Sequence, residues 1–225
     1  MARFVRLRDA IFVLVLMTGC SSQHVARPAT AGSPLTATDP AHPAALNTAK
    51  DLFYKAVAGD LDSLAISLQM LYDMGGGESS DPQVMAYTGA ATLLKAAHAP
   101  LLEKGGLVNE GVALEDKAVA QAPNDLEVRF LRGVTCYRLP KFMGRSEMAS
   151  SDLAYVAQRA EPAVKQDRLD PRAAAAALVY YGKDLEQNYD AMGAEAAWRT
   201  AVRINPDSMA GRDALKHLAE HHVTP

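Results

Sequence analysis

The chain has 225 residues, 49% of them apolar and only 6% aromatic, with a formal net charge of −3. That apolar share supports a real core and excludes wholesale disorder, while few aromatics beside abundant alanine favour helix-on-helix packing over a β-sandwich. No basic stripe follows the first few residues, which argues against a nucleic-acid binder.

The N-terminus reads as a targeting segment. Arg3, Arg6 and Arg8 precede the apolar run Ala10 to Met17, which is too short to cross a hydrocarbon layer that needs about 20 residues. The run ends in "LMTGC" at Cys20. This tripartite pattern resembles a bacterial lipoprotein signal, residues 1–19, with Met17 where the family prefers Leu. The resemblance implies cleavage before Cys20 and acylation of Cys20, palmitate included. Two or three acyl chains hold a protein stably at a bilayer. Ser21, in place of the Asp that resembles an inner-membrane retention signal, implies the outer membrane, facing the periplasm. The other cysteine, Cys136, lies on an apolar helical face and reads as a buried small hydrophobe.

Residues 20–43 follow as a lipid-anchored tether, rich in Pro, Ala, Ser and Thr and without apolar periodicity. A coil of that length reaches roughly 25–30 Å. From about Ala44 to the end of the chain, residues 44–225, the pattern is helical. Leu46, Ala49, Phe53, Ala56 and Val57 share one face, Gly59 ends the helix, and Asp60 can cap the next, which carries Leu61, Leu64, Leu68 and Leu71. Gly75 to Pro82 is a break. Two apolar helices follow, "VMAYTGAATLLKAAHAPLL" and "GLVNEGVALEDKAVAQAP", with no strand-like alternation anywhere. The fold class is all-α.

The same helix ending recurs: Ala118 to Pro123 and Ala201 to Pro206 are each five residues, as is Ala157 to Pro162. Gly182, Ala194, Trp198, Ala201 and Pro206 are spaced 12, 4, 3 and 5 apart. This resembles the tetratricopeptide repeat (TPR), a helical hairpin of about 34 residues. The resemblance implies a right-handed superhelix of about four TPR-like hairpins plus a C-terminal capping helix. In physical terms, Gly182 and Ala194 let two helices approach, Trp198 fills the remaining space, and Pro206 stops the second helix. The other units are degenerate. One keeps Ala118 but has Gly111 and Glu115 for the expected Ala and aromatic, with Gly89 as its small residue and about ten extra residues around "AAHAPLLEKGG". Another keeps Gly133 and Ala157 around a five-residue insertion in "LPKFMGRS". Some ten further residues stand between Pro162 and Gly182, as helix or as loop.

Three groups are candidates for function. Arg129, Arg132, Tyr137 and Arg138 cluster before a proline-bounded loop; such residues suit an anion- or peptide-binding patch. The competing reading is a packing loop in which Phe142 tucks into the seam. The TPR resemblance places partners along the first helices, which implies Glu127, Phe130, Val134, Tyr137 and Arg138 in one unit and Ala176, Val179, Lys183, Glu186 and Gln187 in the last. Finally, "HLAEH" puts His217 and His221 four apart with Glu220 between them. This looks like an inverted zinc-protease motif, but it lies at the chain end with no downstream carboxylate for a third ligand. No metal, cofactor or catalytic role is expected, and acidic residues such as Asp184, Glu186 and Asp190 read as solvated helix faces.

The expectation is a non-enzymatic TPR-like lipoprotein working as a protein-interaction scaffold in the cell envelope, its partner an unidentified envelope protein or peptide. The alternative is a small-ligand carrier resembling the T-component lipoprotein of substrate-binding-protein-dependent transporters. An open groove would favour the first, and a pore lined by Tyr137 and Arg138 the second.

Overall fold

A computed structural model describes residues 36 and 38–222. The signal-like segment, Cys20 and most of the tether lie outside the described residues, as do the side chains of residues 221 and 222. The described residues form α1 (His42–Val57), α2 (Leu61–Asp73), α3 (Pro82–His98), α4 (Leu101–Gln121), α5 (Leu126–Arg138), α6 (Ser146–Ala157), α7 (Ala160–Lys165), α8 (Pro171–Gln187), α9 (Ala191–Ile204) and α10 (Met209–His222), with no strand among them. Helices α1–α2, α3–α4, α5–α6 and α8–α9 pair as four hairpins, and α10 packs on α8 and α9 as a cap. Each hairpin's first helix touches the next one's: α1 on α3, α3 on α5, α5 on α8. The fold is an all-α, TPR-like superhelix of stacked hairpins.

The last unit shows why its residues are spaced as they are. Ala194, Trp198 and Ala201 are fully buried. A Cβ on Gly182 would lie 2.3 Å from Trp198 Nε1, so only glycine lets α8 pass the indole. Trp198 Nε1 donates to the Val179 carbonyl at 3.2 Å. Helix α9 stops at Ile204, two residues before Pro206. Ser208 then caps α10, its hydroxyl accepting from the Gly211 N–H at 2.9 Å.

The second unit solves the same crossing differently. A Cβ on Gly89 would lie 2.7 Å from the Gly111 carbonyl oxygen, and one on Gly111 2.5 Å from Leu93 Cγ. Two glycines therefore let α3 and α4 meet backbone to backbone. The extra residues around "AAHAPLLEKGG" do not loop out. They lengthen both helices, and α4 begins at Leu101 and runs straight through Gly105 and Gly106.

The first hairpin buries Leu46, Ala49, Phe53 and Ala56 against Leu64, Leu68 and Leu71. Asp60 caps α2 through the Ser63 N–H at 3.1 Å. Leu61 departs from the expected face and is exposed.

The extra residues between Pro162 and Gly182 resolve into the end of a short helix, a turn at residues 166–170 and the first part of α8. Pro162 does not end a helix but sits in the first turn of the short α7, where a missing N–H costs nothing. Asp167, with φ +52°, then turns the chain toward α8, which Asp170 caps through the Arg172 N–H at 2.7 Å. Cys136 is buried, and burial pushes its thiol pKa up, as expected of a small hydrophobe.

Candidate functional site

The first helices form the inner face of the superhelix, and that face has two levels. Near the N-terminal ends of α3, α5 and α8 it is closed by a buried polar cluster. Lys50 Nζ of α1 donates to Gln83 Oε1 at 2.7 Å and to Glu127 Oε2 at 2.5 Å. Tyr87 donates to Glu127 Oε1 at 3.3 Å, and its hydroxyl lies 3.4 Å from that of Tyr54. Burial raises the pKa of Glu127, with Lys50 opposing the shift, and it raises Tyr54 and Tyr87 well above the usual phenol. Beside this cluster Arg172 of α8 bonds Asp51 of α1 at 2.7 Å and lies over the Tyr54 ring at 4.1 Å. The superhelix thus turns far enough for the fourth hairpin to meet the first. Glu127, Phe130 and Val179, three of the inner-face positions implied by the repeat, are buried and serve packing here.

The second level lies at the C-terminal halves of α5 and α8. Gln187 Nε2 donates to the Tyr137 hydroxyl at 2.5 Å. The Tyr137 ring meets Tyr180 edge-on, with centroids 5.3 Å apart. Burial, with Asp184 nearby, pushes the Tyr137 phenol up to about 12. Lys183 Nζ donates to Asp213 of the cap at 2.8 Å and lies 5.2 Å from the Tyr180 ring centroid. Arg138 and Glu186 are exposed on the same stretch. Of the seven candidate residues, Tyr137 and Gln187 meet although 50 residues apart in sequence, Lys183 lies one turn before Gln187 beside Tyr180, and Arg138 and Glu186 are exposed next to them in the chain.

Arg129 and Arg132 point elsewhere. Both bond the fully buried Asp152 of α6, Arg129 at 2.6 Å through Nη1 and Arg132 at 2.6 Å through Nε. Arg129 also donates to the Pro123 carbonyl and stacks on Tyr155. Arg132 lies 3.6 Å from Asp116, which Arg145 grips with both Nη atoms. These guanidiniums join α5 to α6 and α4. Asp152, Asp116 and Arg145 were missed in the sequence because their partners are 16 to 29 residues away, and no local spacing marks them.

Phe142 does not tuck into the seam. It is 77% exposed, while Leu139 and Met143 fill the seam against Ala96, Val108 and Val112. Glu115 occupies the aromatic position of its unit. It is fully buried, accepts from the Thr135 hydroxyl at 2.8 Å through Oε1, and has no partner on Oε2. Burial raises its pKa well above the ordinary carboxyl, which favours its neutral form.

His217 stacks on Trp198 with ring centroids 4.7 Å apart and an interplanar angle of 19°. Burial first, then Lys183, lowers its pKa. The side chain of His221 lies outside the described residues. Among the described residues no group of three or more His, Cys, Asp or Glu is placed to hold a metal ion, and no helix is long and apolar enough to cross a membrane. Clefts of about 300 and 310 Å³ open beside Pro162, away from Tyr137.

No family model and no curated protein match the chain. A solved structure of a MamA mutant is similar over 80% of this chain and 89% of that one, at 18% identity and a TM-score of 0.43. The fold assignment rests on the hairpins themselves.

Proposed function

We propose that the chain is a non-catalytic, membrane-anchored scaffold of the bacterial envelope that docks a protein or peptide on the surface shared by α5 and α8. The carrying observation is the junction of Tyr137, Tyr180 and Gln187. Two half-exposed aromatic rings, an amide and a nearby lysine and arginine form a face suited to an extended chain. Such groups supply apolar contact and hydrogen bonds together, and few side chains must be ordered to use them. The Lys50, Tyr87 and Glu127 cluster supports the scaffold over the small-ligand carrier. Its side chains are buried where α1, α3 and α5 meet and bond one another, leaving no accessible group there for a solute.

The anchoring part of the reading is supported by the lipoprotein-like segment ending at Cys20. The test is isolation of the protein from native membranes after crosslinking in cells, beside a Tyr137→Ala, Arg138→Ala variant with an unchanged unfolding midpoint. A protein partner recovered with the native chain and lost in the variant is the expected result. A native chain recovered from membranes with no protein partner would overturn the scaffold reading.

A further inference from the structure

The turns after α3, α5 and α8 lie at one edge of the superhelix. Tyr137 near the end of α5 meets Gln187 at the end of α8, and the loop after α5 packs on the end of α3 and the start of α4. That edge carries large exposed apolar side chains. Leu102 is 98% exposed, Phe142 77% and Leu101 60%. Their exposure is held in place. Beneath Phe142, Leu139 and Met143 are anchored in the small apolar cluster with Ala96 and Val108. Met143 N–H donates to the Pro140 carbonyl at 2.9 Å, and Gly144 closes the turn at φ +69°. The tip is therefore presented outward by a fixed turn.

The charges around these tips are mainly basic, with the exposed Glu103 beside Leu102 as the exception. Lys95, Arg138 and Lys141 are exposed beside them, and no acid occurs between Arg138 and Arg145. Glu103 is the only acid between Lys95 and Lys104. Farther along the same edge Tyr189 is 96% and Met192 85% exposed, but Glu186 and Asp190 flank them. The basic-apolar combination thus centres on the second and third hairpins. Lysine is depleted in the cores of protein–protein interfaces. Exposed apolar tips flanked in the chain by lysine match an anionic bilayer, where the tips enter the headgroup boundary and the cations meet phosphates.

We propose that this edge, through Leu101, Leu102 and Phe142 with Lys95 and Lys141, rests on an anionic lipid surface. The inference rests on the membrane-anchored reading, which geometry permits. Helix α1 has 16 residues, so the edge lies about 24 Å from the start of the helix. The 21 residues from Ser21 to Ala41 could span up to roughly 70 Å. The contact would orient the superhelix and leave the α5–α8 surface beside the membrane plane.

The test uses the full chain with its native N-terminal segment, extracted in detergent and reconstituted on phosphatidylglycerol-containing or pure phosphatidylcholine vesicles. Flotation reports attachment, and amide hydrogen exchange reports residues 100–104 and 139–144. Exchange there is expected to slow by roughly tenfold on the anionic vesicles relative to the neutral ones. A Leu102→Ser, Phe142→Ser variant should still float and lose that slowing. Flotation with identical exchange on both lipids and in the variant would overturn the inference, leave anchoring intact and assign the edge to a protein. Failure to float at all would overturn both the inference and the anchored reading.

Discussion

At the residue scale, single atoms decide how closely helices pass. Gly182 has no room for a methyl group, since the fully buried Trp198 is held by its own hydrogen bond to Val179. Gly182→Ala should lower stability by about 1–3 kcal/mol through overpacking, seen as a lower urea midpoint. Glu115 is the opposite case, a buried acid where the last unit has tryptophan. Its folded pKa is raised above its ordinary value of 4.5. The folded state therefore holds a proton that the unfolded state releases, and stability falls as pH rises above about 4.5. Glu115→Gln keeps an acceptor for Thr135 and removes that ionisation. Denaturation midpoints of variant and native chain should agree near pH 4.5 and diverge in the variant's favour by pH 8. Parallel pH profiles would show that Glu115 is ionised in the fold.

At the element scale, the hairpins are joined by different means. The third depends on the buried Asp152, which holds Arg129 and Arg132 of α5 against α6. Asp152→Ala should cost about 3–5 kcal/mol, because it takes from two partly buried cations the carboxylate they share and leaves Arg132 only Asp116, 3.6 Å away. Arg132→Ala on that background should add little, and an additive double-mutant cycle would dissolve the proposed clamp. These ties explain what was legible in the sequence. The last hairpin could be read because Gly182, Trp198 and Pro206 act at fixed local intervals. The continuous α4 was less legible, since Gly105 and Gly106 look like a break. A Cβ at either would meet nothing, and the helix simply passes them on open surface at modest cost. The Arg129 and Arg132 pairs were hidden because their acid lies on another helix. Phe142 was misread because composition cannot tell which apolar residue of a loop faces inward, and Leu139 and Met143 already fill that space.

At the scale of the whole molecule, the superhelix curls until Arg172 on α8 reaches Asp51 on α1. The inner face is therefore packed at one level and available at the other. Tyr137 and Gln187 were both named in sequence from the repeat register, but their meeting needs the stacking of α5 on α8, which local periodicity does not encode. The closing Arg172–Asp51 pair is partly exposed, 36% and 61% at the two side chains. Asp51→Ala should change stability by less than about 1 kcal/mol, as the buried cluster beneath holds the curl.

The most direct measurement is photocrosslinking in cells from two single positions. One reactive side chain replaces Arg138, on the α5–α8 surface. The other replaces Ile66, 52% exposed on α2. A discrete protein adduct from position 138 and none from position 66 is the expected result. The same adduct from both positions, or one from position 66 alone, would contradict a docking face built by α5 and α8.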